Sequence, residues 1–153
     1  MSLDQQTKMT PGEVDEVLAR HETGVLSLAK ADEPYAIPIS YGYDPDAGKL
    51  YLRLVSTPES EKRRFLSSSP QARIVVYEED GQTYRSVVSE GVLEQIDPSE
   101  MTVERIVQYG KAKRPLFEIW GKSKRDLDIQ LYELDAEILS GRQIVVDTDE
   151  DSV

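Results

Sequence analysis

The sequence predicts a mainly β domain with flanking helices, built on six or more antiparallel strands. Three observations carry this. From Gly24 to about Glu94, apolar residues recur in short runs with a period of two. The runs are separated by turn chemistry in "KADEP", "DPDAGK" and "EDGQ". Two helix-start signatures flank the region, at Thr10 and at Asp97.

Residues 1–9 are polar and are expected to be loose. In "TPGEVDEVLAR", Thr10 is the N-cap, Pro11 the first helical residue and Glu13 the closing member of a capping box, with Val14, Val17 and Leu18 forming one buried stripe. Five strands follow: "GVLSLA", "YAIPISYGY", "LYLRLV", "ARIVVYE" and "TYRSVVSEGVLE". A basic helix is expected between the third and fourth, ending near "SSSP", because Pro70 disfavours helical geometry in the residue before it. Asp97, Pro98 and Glu100 then start another helix, in which Met101, Val103, Ile106 and Val107 are candidates to face the core. Pro115 breaks any helix through "KAKRPLFEIWGK", and "LDIQLYEL" predicts a last strand. Residues 1–146 read as one domain and 147–153 as an acidic, disordered tail.

With 153 residues and 39% hydrophobic content, the chain can bury one real core and not two. It contains no cysteine, which excludes disulfides, thiolate catalysis and zinc–thiolate sites and suggests an intracellular setting. No apolar run reaches membrane-spanning length and the start lacks signal-peptide character, so a cytoplasmic protein without a membrane partner is expected. The net charge of -11 argues against nucleic acid as a partner. An anionic ligand would need a local cationic site.

The second strand differs between its faces. Tyr35, Ile37, Ile39, Tyr41 and Tyr43 are large, whereas Ala36, Pro38, Ser40 and Gly42 are small. A face without bulk lets something flat approach the backbone, and Pro38 lacks the amide a central strand would use. The same pattern also fits a helix packed tightly on that face, or a sheet edge at Pro38.

The stretch "STPESEKRRFL" concentrates cations in an acidic chain. Ser56 or Thr57 can cap a helix there, Pro58 and Glu59 fall in its first turn, and the unpaired amides of such a terminus attract an anion. Lys62 adds a full positive charge to the helix dipole, and Arg53 on the preceding strand can be aimed at the same point. The alternative is an exposed helix whose Lys62, Arg63 and Arg64 pair with Glu59 and Glu61.

Taken together, "PYAIPISYGYDPDAGKLYLRLVSTPESEKRRFL" resembles the FMN-binding core of the split-barrel flavoproteins related to pyridoxamine 5′-phosphate oxidase, over about Val14 to Ile96 with weaker support in "LYELDAEILSGRQI". "GVLSLA" and "PISYGY" look closer to the small branch containing nitroimidazole reductases and other FMN-binding proteins than to the oxidase proper. The resemblance implies a Greek-key split β-barrel and a homodimer with FMN at its interface. It carries phosphate binding onto Ser60 and Lys62, with Arg53 and Ser56 as neighbours, and places Pro38, Ile39 and Ser40 along the flavin. Arg85 and Ser86 would reach the ligand from a later strand, and Trp120 could stack on the flavin from the partner subunit or simply anchor an interface or core.

The match has departures. Glu61 stands where the oxidase proper tends to have a cation, and the oxidase's arginine-rich C-terminal segment is replaced by "VVDTDEDSV", which argues against vitamin B6 oxidation. The nitroimidazole reductases often carry a histidine near the flavin after the third strand, where this chain has "RLVST". Its single histidine, His21, falls at the end of the first helix and suits the dipole there as a cation. One imidazole gives a haem ligand little support and does not build a zinc or iron centre. The expected function is an FMN-dependent oxidoreductase passing electrons from a reduced nicotinamide cofactor to a small organic acceptor. The alternatives are a flavin storage or redox-sensing module, a dimer with an empty site, and a deazaflavin protein.

Overall fold

The computed structural model describes residues 6–56, 65–66, 70–112 and 128–146. They contain strands β1 (Gln6–Lys8), β2 (Thr23–Lys30), β3 (Glu33–Asp44), β4 (Lys49–Ser56), β5 (Gln71–Asp80), β6 (Thr83–Ile96) and β7 (Asp128–Val145), with helices α1 (Pro11–Arg20) and α2 (Val103–Lys111). The strands are ordered β1-β7-β4-β3-β2-β5-β6, and β6 also pairs with β7. That last pairing closes β2 to β7 into a barrel in which every described pair is antiparallel. Strands β2–β4 form one meander and β5–β7 another. Strand β5 lies beside β2, the first strand of the first meander, and the order β5-β2-β3-β4 makes the topology a Greek key.

Alternation along the strands fills the barrel. Leu50, Leu52 and Leu54 of β4 are 0–1% exposed, as are Leu26 of β2, Ile74 and Val76 of β5, and Leu93 of β6. Helix α1 caps the core with Val14, Val17 and Leu18, and burying each such side chain is worth roughly 1.5–3 kcal/mol. Its capping box is formed: Thr10 Oγ1 accepts from the Glu13 amide at 3.2 Å, and Glu13 Oε1 accepts from the Thr10 amide at 3.0 Å. Tyr41 closes the other end of α1, its hydroxyl donating to the Leu18 carbonyl at 2.7 Å. The β2–β3 hairpin turns through Ala31 and Asp32, both at positive φ, the conformation that matches the twist of paired strands.

Three expectations need correction. Residues 1–9 are not uniformly loose: Gln6–Lys8 form β1 against β7, and Met9, 5% exposed, donates its amide to the Gly141 carbonyl. The last strand is far longer than "LDIQLYEL", because β7 pairs first with β4 and then, past a bulge, with β1, while pairing with β6 from Leu131 onward. The helix expected from Asp97 is only a 3-10 turn over Pro98–Glu100, and α2 restarts with Thr102 as its N-cap. Its apolar residues do not face the core: Val103, Ile106 and Val107 are exposed, and Gln108 and Tyr109 are buried. The expected basic helix falls outside the described residues except for Phe65 and Leu66, which are helical and buried. The tail at 147–153 also lies outside them.

Candidate functional site

The barrel opens along one seam. Strand β3 pairs with β4 only from Asp44↔Lys49 to Tyr41↔Leu52. Beyond that point Glu33–Ser40 is paired with β2, and Arg53–Ser56 is paired with β7. Ser40 and Arg53 are therefore the first residues past the last registered pair. Both stand on the outer face, since Ile39 and Leu54 beside them are core residues. The Tyr41 amide donates to the Glu22 carbonyl on the β2 side, so alternation puts the Pro38 nitrogen on the opposite edge, at the open seam. A proline costs no hydrogen bond there. Inside, Phe65 is 1% exposed, and its ring stacks on Tyr35 with centroids 5.2 Å apart.

The small face of β3 serves two ends. At Gly42 it is the floor for α2: a β-carbon on this glycine would collide with the carbonyl of Gln108. At Ala36 and Pro38 it remains exposed. Helix α2 is held over the first end by Tyr109, whose hydroxyl donates to the Tyr132 carbonyl at 3.0 Å and whose ring meets Tyr51 edge-on at 5.4 Å. Beneath it lies Glu133, 5% exposed, with Lys49 Nζ 3.0 Å from one oxygen and Arg105 Nε 3.5 Å from the other. The hydrogen bond to Glu133 holds the Lys49 ammonium above its ordinary range against the opposing effect of its burial.

The structure thus brings Pro38, Ser40 and half-buried Arg53 together at the seam. The Ile39 side chain is 2% exposed in the core, which leaves its backbone as the part that borders the opening. Ser56 is the last residue of β4, opposite Asp128. Ser60, Lys62 and Trp120 lie outside the described residues. Ser86, on β6, sits opposite Tyr77 and Arg142.

Arg85 is placed elsewhere within the chain. Its Nη1 donates to Glu78 Oε2 at 2.8 Å and its Nε to Gln143 Oε1 at 2.8 Å. This belongs to a cleft of about 440 Å³ between α1 and the β5–β6 hairpin, lined among others by Glu13, Glu16, Arg20, His21, Glu78 and Arg85. Glu78 is its centre. Arg20 approaches one carboxylate oxygen at 2.9 Å, His21 Nε2 approaches the same oxygen at 2.8 Å, and Arg85 takes the other. Burial works to raise the Glu78 pKa, but hydrogen bonds from His21, Arg20 and Arg85 outweigh it and bring it down to about 2. His21 does cap α1, as its place in the sequence implies, and its ring is engaged by this carboxylate. Nothing in "YEEDG" signals that Glu78 would gather three partners from two other elements.

Solved structures with the same fold include an FAD-binding protein from Mesorhizobium loti (TM-score 0.70, 20% identity, covering 92% of this chain and 98% of that one). An FAD-binding protein from Mycobacterium smegmatis is similar (0.66, 11% identity, 92% and 98%). So is a proposed 5-nitroimidazole antibiotic resistance protein from Bacteroides thetaiotaomicron (0.62, 15% identity, 90% and 87%). No curated protein matches the sequence. The family model described as pyridoxamine 5′-phosphate oxidase matches residues 10–143, nearly all of the β-barrel and both helices, and the chain belongs to that family.

Proposed function

We propose that this protein is a homodimeric flavoprotein, with FMN as the first candidate cofactor, which passes electrons from a reduced nicotinamide cofactor to a small organic acceptor. The observation that carries the reading is the open β3–β4 seam. A flat ring system needs a backbone edge free of bulk, and Ala36 and Pro38 present one, with no amide to be left unpaired at Pro38. Ser40 and Arg53 border the same opening, and Arg53 supplies a cation on the strand that leads to Ser60 and Lys62. These residues fit a flavin whose ring lies along Pro38–Ser40 and whose phosphate is held by Ser60, Lys62 and Arg53. Bound there, the flavin would supply the redox chemistry, for which the protein need provide no acid or base of its own.

The protein's part is to position and shield. Phe65 and Tyr35 seal the barrel interior behind the seam, and α2 fixes its neighbouring end at Gly42. The membership of the family and the FAD-binding relatives of the same fold support a flavin. They also make FAD the competing outcome. The test is the absorbance spectrum of the purified protein, followed by chromatography of the chromophore released by heat. A yellow protein releasing FMN is expected. A colourless protein that takes up neither FMN nor FAD would end the proposal, and steady-state oxidation of NADH or NADPH separates an enzyme from a storage module.

A further inference from the structure

Helix α2 reverses the usual arrangement of an amphipathic helix. Arg105, Gln108 and Tyr109 are directed at the sheet, whereas Val103, Ile106 and Val107 are 73%, 59% and 53% exposed. At 3.6 residues per turn, those three and Gly110 fall on one stripe along the side opposite the buried face. Among the described residues, no atom lies within 4 Å of where a β-carbon on Gly110 would stand, so the stripe includes a notch that a second backbone can approach. An apolar stripe facing water, in a chain with a net charge of -11, marks a contact surface.

We propose that this stripe is the two-fold contact of the homodimer, with α2 packed antiparallel against α2 of a second copy; the inference rests on the dimeric reading above. The charge pattern selects a second copy as the occupant. Glu104 and Lys111 lie on the same flank of the stripe, two turns apart. A two-fold axis perpendicular to the helix pair sets Glu104 beside Lys111 of the partner subunit, twice over. It also brings Val103 opposite Gly110, and Ile106 opposite Val107. A pair of nine-residue helices is small beside the roughly 1,200 Å² that a stable interface buries, and Ile129 extends the surface. It is 53% exposed on the outer face of β7, four residues from the Glu133 that underlies α2. Because α2 rests on Gly42, two residues from Ser40, the contact borders the open seam.

Light scattering across a concentration series decides the matter, with flavin content recorded separately. The wild type is expected at twice the 17.3 kDa chain mass, and Ile106→Glu/Val107→Glu is expected to raise the dimer dissociation constant at least about tenfold. Both positions are exposed in the single chain and glutamate is a good helix former, so the far-UV circular dichroism should be unchanged. Should that variant fail to fold, the charge pair decides: Glu104→Lys should weaken the dimer and Glu104→Lys/Lys111→Glu should restore it. A double-glutamate variant that keeps wild-type association, or a charge reversal that shows no loss and no rescue, overturns the α2 contact while leaving dimerisation intact. A monomeric wild type overturns both. A colourless dimer that dissociates in the variants would support the contact and remove the flavin reading alone.

Discussion

His21 Nε2 lies 2.8 Å from Glu78 Oε1, so the residue that caps α1 is fastened through its side chain to barrel strand β5, two residues from that strand's end. Arg20 and Arg85 complete the cluster, and the Glu78 carboxylate is only 9% exposed. Its folded pKa of about 2 lies below the ordinary 4.5, so its ionised form stabilises the fold above that range. This stability is lost as pH falls from about 4.5 towards about 2. Glu78→Gln should cost about 2 kcal/mol near neutral pH, or roughly 4–8 °C in Tm, and should flatten the acid limb of a Tm-against-pH curve. An acid limb identical to that of the wild type would show that the cluster does not hold α1.

The collision between a β-carbon at Gly42 and the Gln108 carbonyl predicts that Gly42→Val displaces α2. The contact is with backbone, which gives way less readily than a side-chain end, so a loss of about 2 kcal/mol is expected. Thermal melting checks this: a Tm within about 1 °C of wild type would mean that α2 shifts there without cost.

Lys49 and Glu133 form an ion pair whose members are unequally buried, the carboxylate fully and the ammonium only in part. Removing the cation by Lys49→Met leaves the carboxylate at 5% exposure with Arg105 as its remaining cation among the described residues, and should cost about 2–3 kcal/mol in denaturant unfolding. Lys49→Met/Glu133→Leu should recover most of that loss, because replacing both charges removes the stranded one. Additive losses in the double variant would contradict the pairing.

Lys62→Glu should weaken flavin binding at least about tenfold, since a charge-assisted contact contributes roughly 1.5–3 kcal/mol. Arg53→Glu, at the edge of the seam, should act in the same direction by a smaller factor. Fluorescence titration with FMN measures both, and an unchanged dissociation constant for Lys62→Glu would take the phosphate away from that turn.

Much of this architecture is legible in the sequence, and the misses have specific physical causes. Period-two runs locate β2 to β6 well because each has one face in the barrel. Strand β7 defeats the same reading halfway along. Its register slips opposite Glu90 and Gly91, leaving Glu137 as the extra residue. Tyr132 and Leu134 point inward before the slip, and Leu139 packs on the core after it, while Ile138 is 54% exposed. The alternation changes phase and the run ceases to look like one strand. Strand β1 buries no face, so no pattern could mark it. In α2 the spacing of Val103, Ile106 and Val107 is helical, but spacing alone cannot say which side meets the barrel, and the side that does is polar and aromatic. In sequence, the small face of β3 fits a flat ligand, a helix or an edge equally well. The structure puts the helix at Gly42 and an exposed edge at Pro38.

The place of β7 in the chain also governs how the molecule can be made. It is the last synthesised of the described strands, yet it borders β1, β4 and β6, the first of these joined to it across more than 130 residues. While the ribosome is still delivering it, β4 and β6 each carry an unpaired edge and the barrel cannot close. The two meanders can form as they emerge, but the cooperative step waits until the chain has been made through Val145, and it joins residues distant in sequence, a slow kind of closure. A nascent chain of this protein therefore spends its synthesis with sheet edges exposed, and a stall before β7 leaves an open sheet ready to pair with a neighbour.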